Sequence, residues 1–173
     1  MPAPFNTIDL TTLALKAGEA SRVEVDLVPE GFHLGGEDYA FAPGSVPSRL
    51  DISRTAAGYA LRLRLTASLA GPCMRCLTGA TFPVAVDARE VDHPGTDDEE
   101  LTSPYVDGGI LDIGAWAHDA IALALPQSLL CRPDCAGLCP ECGIALNDVD
   151  PATHEHEKAP DPRWAKLREI EAE

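Results

Sequence analysis

Six cysteines fall in two places in the chain. Cys73-Met74-Arg75-Cys76 is a C-x2-C element, and Cys131, Cys135, Cys139 and Cys142 follow as C-x3-C-x3-C-x2-C. His154-Glu155-His156 then adds two imidazoles. Thiolate and imidazole are the ligands zinc prefers, four to a tetrahedron. The run Leu138-Cys139-Pro140-Glu141-Cys142-Gly143 has the pattern of a zinc knuckle, in which two thiolates reach one ion while backbone N–H groups point at the sulfurs. Its glycine supplies a backbone conformation that other residues resist. The competing reading, a set of reduced free thiols, is the weaker one, because exposed free cysteines are a liability.

Eight ligands are enough for two zinc ions. One division joins Cys73 and Cys76 to Cys131 and Cys135, and Cys139 and Cys142 to His154 and His156. Eleven residues separate Cys142 from His154, near the zinc-finger range, although H-x-H is tighter than the usual histidine spacing. A second division puts Cys131, Cys135, Cys139 and Cys142 on one ion and leaves Cys73 and Cys76 elsewhere. Solvated tail residues are, separately, the alternative reading of His154 and His156. His33, His93 and His118 have no partner in sequence and read as structural or surface groups.

The metal reads as structural rather than catalytic. A catalytic zinc keeps one position open for water, with a carboxylate base near it. Glu141 and Glu155 are close in sequence, but thiolate-rich, closed sites are structural as a rule. No HExxH, G-x-S-x-G or P-loop pattern occurs, and Gly35-Gly36 and Gly108-Gly109 are too short to cradle phosphates. A redox role for Cys73 and Cys76 is the enzymatic alternative, with Arg75 lowering a thiol pKa. That motif normally opens a helix within a βαβ unit, and no such pattern surrounds it. The expectation is no enzyme and no small-molecule substrate.

Most of the elements that must position these residues are strands. The first 20 residues have no clean period. From Arg22, Val23, Val25 and Leu27 alternate with charged residues, which predicts a strand that Pro29-Glu30-Gly31 ends. Arg49 to Arg54 predicts a second, Ala57-Gly58 a hairpin turn, and Tyr59 to Leu65 a third. Thr81 to Val91 predicts another, so the first C-x2-C lies between two strands. Asp92 to Gly109 is acidic and rich in breakers, and reads as a mobile loop of roughly 18 residues. Ile113, Trp116, Ala120 and Ile121 then show helical spacing, with Asp112 as N-cap and Pro126 as terminator. Asp161-Pro162 opens a short C-terminal helix signal. The two C-x2-C elements are alike only in their cysteines. The class is α+β: an antiparallel β-sheet or small open barrel with one main helix and a C-terminal zinc-knuckle tail. The division is 1-130 for the β-rich domain, including the acidic loop 92-109, and 131-173 for the cysteine/histidine tail.

Composition narrows the partners. The 173 residues hold 13 Lys+Arg and 28 Asp+Glu, a formal charge of −15. Such a chain repels a polyanion at long range, so nucleic-acid contact needs a local basic patch or a basic protein alongside. Arg62, Arg64 and Arg75 are candidates for the patch; pairing with Asp and Glu on the same face is the simpler reading. No apolar stretch approaches the ~18 residues of a membrane span. MPAPFNTIDL lacks the basic and apolar regions of a secretory signal, so the cytoplasm is expected.

The order of these features resembles a known family. Cys73-Met74-Arg75-Cys76-Leu77 is followed by an acidic loop and by Leu111-Asp112-Ile113 opening a helix that ends Leu123-Ala124-Leu125-Pro126. Then come Cys131, Asp134-Cys135, Gly137 to Gly143, Leu146-Asn147 and Asp161-Pro162-Arg163. The whole resembles the bacterial YceD family of large ribosomal RNA subunit accumulation proteins. The resemblance implies a non-enzymatic role in building the large ribosomal subunit, with large-subunit rRNA precursor or a basic ribosomal protein as partner. Some relatives keep the Cys-x-Arg-Cys pair but lack the knuckle, which implies a core site and an added one. Others carry Cys-x-Cys where this chain has His154 and His156.

Overall fold

The computed structural model describes residues 6–150 and 153–156. Period-two alternation of apolar and polar residues is the force behind most of it, since each strand can bury one face only by joining a sheet. The strands are β1 (Thr7–Asp9), β2 (Ala20–Leu27), β3 (Phe32–Leu34), β4 (Glu37–Phe41), β5 (Val46–Arg54), β6 (Tyr59–Pro72), β7 (Gly79–Asp92), β8 (Val106–Asp107) and β9 (Ile110–Asp112). Among the described residues there is one α-helix, α1 (Ile113–Ala124), which follows β9 directly.

All described pairings are antiparallel, and the main sheet centres on β6. Along one edge β6 bonds β7 over its full 14 residues. Along the other it bonds β5 in its first half and β4 near its end, and β2 and β3 extend those two. A small second sheet orders β1-β9-β8. The fold is therefore mostly antiparallel sheet with one main helix, as the alternation predicts.

The inward face of the sheet carries Leu50 and Ile52 of β5, Leu61 and Leu63 of β6, and Val84 of β7, all buried. Helix α1 covers it with Trp116, Ala117 and Ile121. Asp112 caps α1 through its carboxylate, which accepts from Ala115 N at 2.9 Å, and Leu125 leaves in extended conformation just before Pro126. Cap and terminator both act where the sequence places them.

Three differences from the sequence reading have local causes. The β3–β4 hairpin was not expected; it turns on Gly35 and Gly36, whose φ angles of +64° and +90° suit the mirror-image two-residue turn that hairpins prefer. The start of the chain, expected to lack order, carries β1 and a 3-10 turn at Leu10–Leu13, and Leu10 is fully buried. The segment 92–109 has structure of its own. Asp98 accepts from Glu100 N and caps a 3-10 turn at Glu99–Leu101, while His93 N donates to Leu101 O at 2.8 Å. Tyr105 stacks on Trp116 with ring centroids 6.3 Å apart. The C-terminal helix signal near Asp161 and Pro162 lies outside the described residues.

Candidate metal centres

Cys73 follows the last residue of β6, and Cys76 lies within the short connection to β7. The long β6–β7 ladder therefore carries both thiols to the tip of a hairpin. There Cys73 N donates to Thr78 O at 2.8 Å and Leu77 N donates to Cys73 O at 2.9 Å. Leu77 sits at φ +59°, a conformation few L residues adopt. The second element repeats this pattern. Cys139 N donates to Ile144 O at 2.8 Å, Gly143 N donates to Cys139 O at 2.9 Å, and Gly143 has φ +74°. The two C-x2-C elements are thus the same hydrogen-bonded turn, with donor, acceptor and left-handed residue at matching offsets. This corrects the view that they share only their cysteines. The likeness is hidden in sequence because Leu stands in one turn where Gly stands in the other.

The chain after α1 returns to the first turn. Met74 N donates to Leu129 O at 2.9 Å, and Leu129 N points at Met74 Sδ at 3.3 Å. Cys131 and Cys135 are thereby set opposite the hairpin tip. Cys73 Sγ lies 3.8 Å from Cys135 Sγ, and Cys76 Sγ lies 3.6 Å from Cys131 Sγ. These distances far exceed the ~2.05 Å of a disulfide, and all six cysteines are free. Four thiolates at about 2.3 Å from one zinc would stand about 3.8 Å apart. Cys73, Cys76 and Cys135 are buried with Leu130 and Leu138 against them, and Cys131 is exposed.

The second quartet is Cys139, Cys142, His154 and His156. Cys139 Sγ is 3.2 Å from His156 Nε2, and Cys142 Sγ is 3.6 Å from His154 Nε2. The two Nε2 atoms face each other at 3.0 Å. Two neutral imidazoles in that pose confront lone pairs unless a proton or a cation lies between them, so the donor set fits a cation. His156 turns its Nδ1 toward Glu141 Oε2 at 3.5 Å. A carboxylate behind a ligating imidazole fixes tautomer and orientation in metal sites. Within each quartet all four ligand atoms lie within 4.8 Å of one another, and each could hold a metal ion. The grouping is the first of the two divisions the spacing allowed.

The electrostatics fit the same account. Burial alone would raise the Cys73 thiol, but N–H groups of Cys131, Arg75 and Cys76 bring it down to about 6. His154, then the N–H groups of Cys142 and Glu141, bring Cys139 down to about 6. Cys131, exposed as a residue, has its thiol pushed up to about 12 by desolvation of the sulfur and by the neighbouring sulfurs of Cys76 and Cys135. Four thiolates cannot share one small volume unaided; a divalent cation held there would supply the missing charge.

Three supporting groups hold roles that sequence reasoning did not assign to them. Asn147 donates from Nδ2 to Cys135 Sγ at 3.4 Å and accepts from Ala136 N at 2.8 Å. Arg75 Nη1 donates to Cys135 O at 2.7 Å. Arg75 is therefore occupied at the first quartet and does not join Arg62 and Arg64, ten or more residues back along the hairpin. Glu141, weighed as a catalytic base, instead faces the back of an imidazole. His33 pairs with Asp38 at 2.7 Å and His118 stacks on Phe32 at 4.6 Å, both apart from the quartets.

An antiparallel sheet whose central hairpin ends in an all-cysteine quartet, with a mixed cysteine and histidine quartet in the adjoining tail, defines a β-rich protein with metal-type clusters. The particular family follows from comparison. Residues 61–171 match the model of the large ribosomal RNA subunit accumulation protein YceD, and the chain belongs to that family. Uncharacterized proteins of Mycobacterium tuberculosis and Mycobacterium bovis are each 33% identical over 170 residues, spanning 95% of this chain and 80% of their own. An uncharacterized protein of Mycobacterium leprae is 38% identical over 112 residues, 61% of this chain and half of its own. No solved structure matches. Among the described residues no helix is long and apolar enough to cross a membrane.

Proposed function

We propose that the chain is a non-enzymatic ribosome-biogenesis factor that supports accumulation or processing of large-subunit rRNA, with zinc in both quartets as a structural ion. The family membership carries the first part. The observation that carries the second is that each quartet already offers four protein ligands. A four-coordinate zinc held by four side chains has no position left for water or substrate. The first C-x2-C stands at a hairpin tip rather than at a helix N-terminus, which removes the setting of a thioredoxin-type dithiol. Its sulfurs meet those of Cys131 and Cys135, which favours a ligand cage over a reactive pair. Reduced thiols at these distances suit a reducing compartment, and the cytoplasm is the proposed location. The partner is large-subunit rRNA precursor or a basic ribosomal protein.

Two measurements test this reading. Elemental analysis of untagged protein should return two zinc ions per chain; none at all would sink the structural-zinc part. Sucrose-gradient profiles from cells lacking the protein, with rRNA precursors quantified, should show a deficit of large subunits. A normal profile with normal precursor levels would overturn the ribosomal role.

A further inference from the structure

The outward face of the main sheet is unlike the rest of this acidic chain. The strand register sorts its charges into two cross-strand rows. One row runs Arg22, Asp51, Arg62 and Arg89 across β2, β5, β6 and β7. The next runs Glu24, Arg49, Arg64 and Asp87 across the same strands. Five arginines less three carboxylates leave +2 on these rows, in a chain of −15. Asp26 lies one row further out on β2, opposite Pro47.

Two features are hard to ascribe to folding alone. Arg62 stands directly opposite Arg89, and Arg49 directly opposite Arg64. Like charges facing each other across strands destabilise a sheet. The carboxylates answer this only in part. Asp51 is shared by Arg22, Arg49 and Arg64, and Asp87 pairs with Arg62 through Arg62 Nε at 2.7 Å. Among the described residues Arg89 has no carboxylate within ion-pair distance, and the Nε of Arg64 is buried without a hydrogen-bond partner. The arginine side chains keep between 33% and 55% of their surface where measured in these pairs, so their guanidinium groups are held in place and still reachable.

We propose that this face is the chain's contact with the phosphate backbone of RNA. The proposal rests on the rRNA role above and names the surface that would serve it. Arginine recognises phosphate through its planar fork. Asp51 pre-positions three of the forks. No aromatic side chain lies on the two rows, so base stacking, the usual means of reading single-stranded sequence on a sheet, is not available there. Contact is then to the backbone and carries little sequence preference. The acidity of the rest of the surface confines RNA to this one face.

The test uses the full chain, zinc-loaded, against an in vitro transcript of large-subunit rRNA, with affinity followed over a salt series. Wild type should bind with a slope of log K against log salt of about −2. Arg62→Gln with Arg89→Gln should weaken binding roughly tenfold and flatten the slope by about 1.4. Asp87→Asn frees Arg62 and adds one positive charge, so it should tighten binding, a gain that misfolding cannot imitate. Unchanged affinity in both variants, or wild-type binding to a basic ribosomal protein and not to the transcript, would overturn the proposal. Complementation separates it from the function it rests on. If loss of the protein alters rRNA precursors and the double arginine variant restores them fully, the RNA face is wrong and the ribosomal role stands. If loss of the protein leaves precursors unchanged, the role itself fails.

Discussion

Removing the first quartet should destabilise the whole sheet, and removing the second should not. Consider Cys73→Ser with Cys135→Ser. The first quartet joins residues 55 to 62 positions apart, clipping the tail to the tip of the central hairpin. Treated as a cross-link, a loop of that length is worth about 4 kcal/mol in chain entropy alone. Against a typical total of about 5–15 kcal/mol this is a large share. For a chain of this length it corresponds to a melting point lower by about 8–16 °C. Cys139→Ser with Cys142→Ser removes a closure spanning only 12 to 17 residues inside the tail. No described residue of that span belongs to the main core. The sheet should then melt within about 2 °C of wild type, a loss of at most about 1 kcal/mol. The assay is far-UV circular dichroism on heating, with zinc content measured on each sample. Each double variant should retain one ion. Chelation of wild type should reproduce the larger shift, which guards against a cost arising from the serine hydroxyls. Equal shifts in the two variants would refute the division of labour, and two ions retained in the first variant would refute the grouping itself.

The Arg22 guanidinium, followed by that of Arg64, holds the Asp51 carboxyl below its ordinary value of 3.8. A carboxyl held down in the folded state contributes stability that is present above its ordinary pKa and is lost as the pH falls toward the folded value. Asp51→Asn should therefore flatten the acid limb of a urea-unfolding series below about pH 4, and a limb as steep as that of wild type would remove Asp51 from the account. Gly58 closes the β5–β6 hairpin beneath β7, where an added Cβ would stand 1.8 Å from the Asp92 carbonyl oxygen. Gly58→Ala should cost about 1–3 kcal/mol in the same denaturant assay, whereas Gly79→Ala, with nothing within 4 Å, should cost far less.

What the sequence made legible depends on the range of the interaction concerned. Alternation and capping are local, so β2, β5, β6, β7 and α1 were readable from their own residues, Asp112 and Pro126 included. The Gly35-Gly36 hairpin was readable too; two glycines between Phe32–Leu34 and Glu37–Phe41 are a turn signal that was weighed only as a phosphate cradle. Ligand grouping was not readable, because which thiols meet is decided by where the β6–β7 ladder ends, some 55 residues from Cys131. The likeness of the two C-x2-C turns was hidden for another reason. It lies in backbone hydrogen bonds, and Leu77 takes the left-handed position that glycine would have advertised.

Charge is the sharpest case of this distinction. A net of −15 is a sum over residues and says nothing of where they lie. Period-two alternation sends Arg62 and Arg64 to one face of β6, a local fact legible from the strand itself. Register then decides what each of them meets: Asp51 and Arg89 across from Arg62, Arg49 and Asp87 across from Arg64. A one-residue slip between β6 and β7 would set the charged side chains of β7 against the core. Fourteen paired residues, with Val84 and Val86 buried on the inward face, make such a slip costly. The apolar residues thus fix the register, and the register fixes a cationic face. An acidic chain can present arginines to a polyanion because its core leaves those side chains no other place to go.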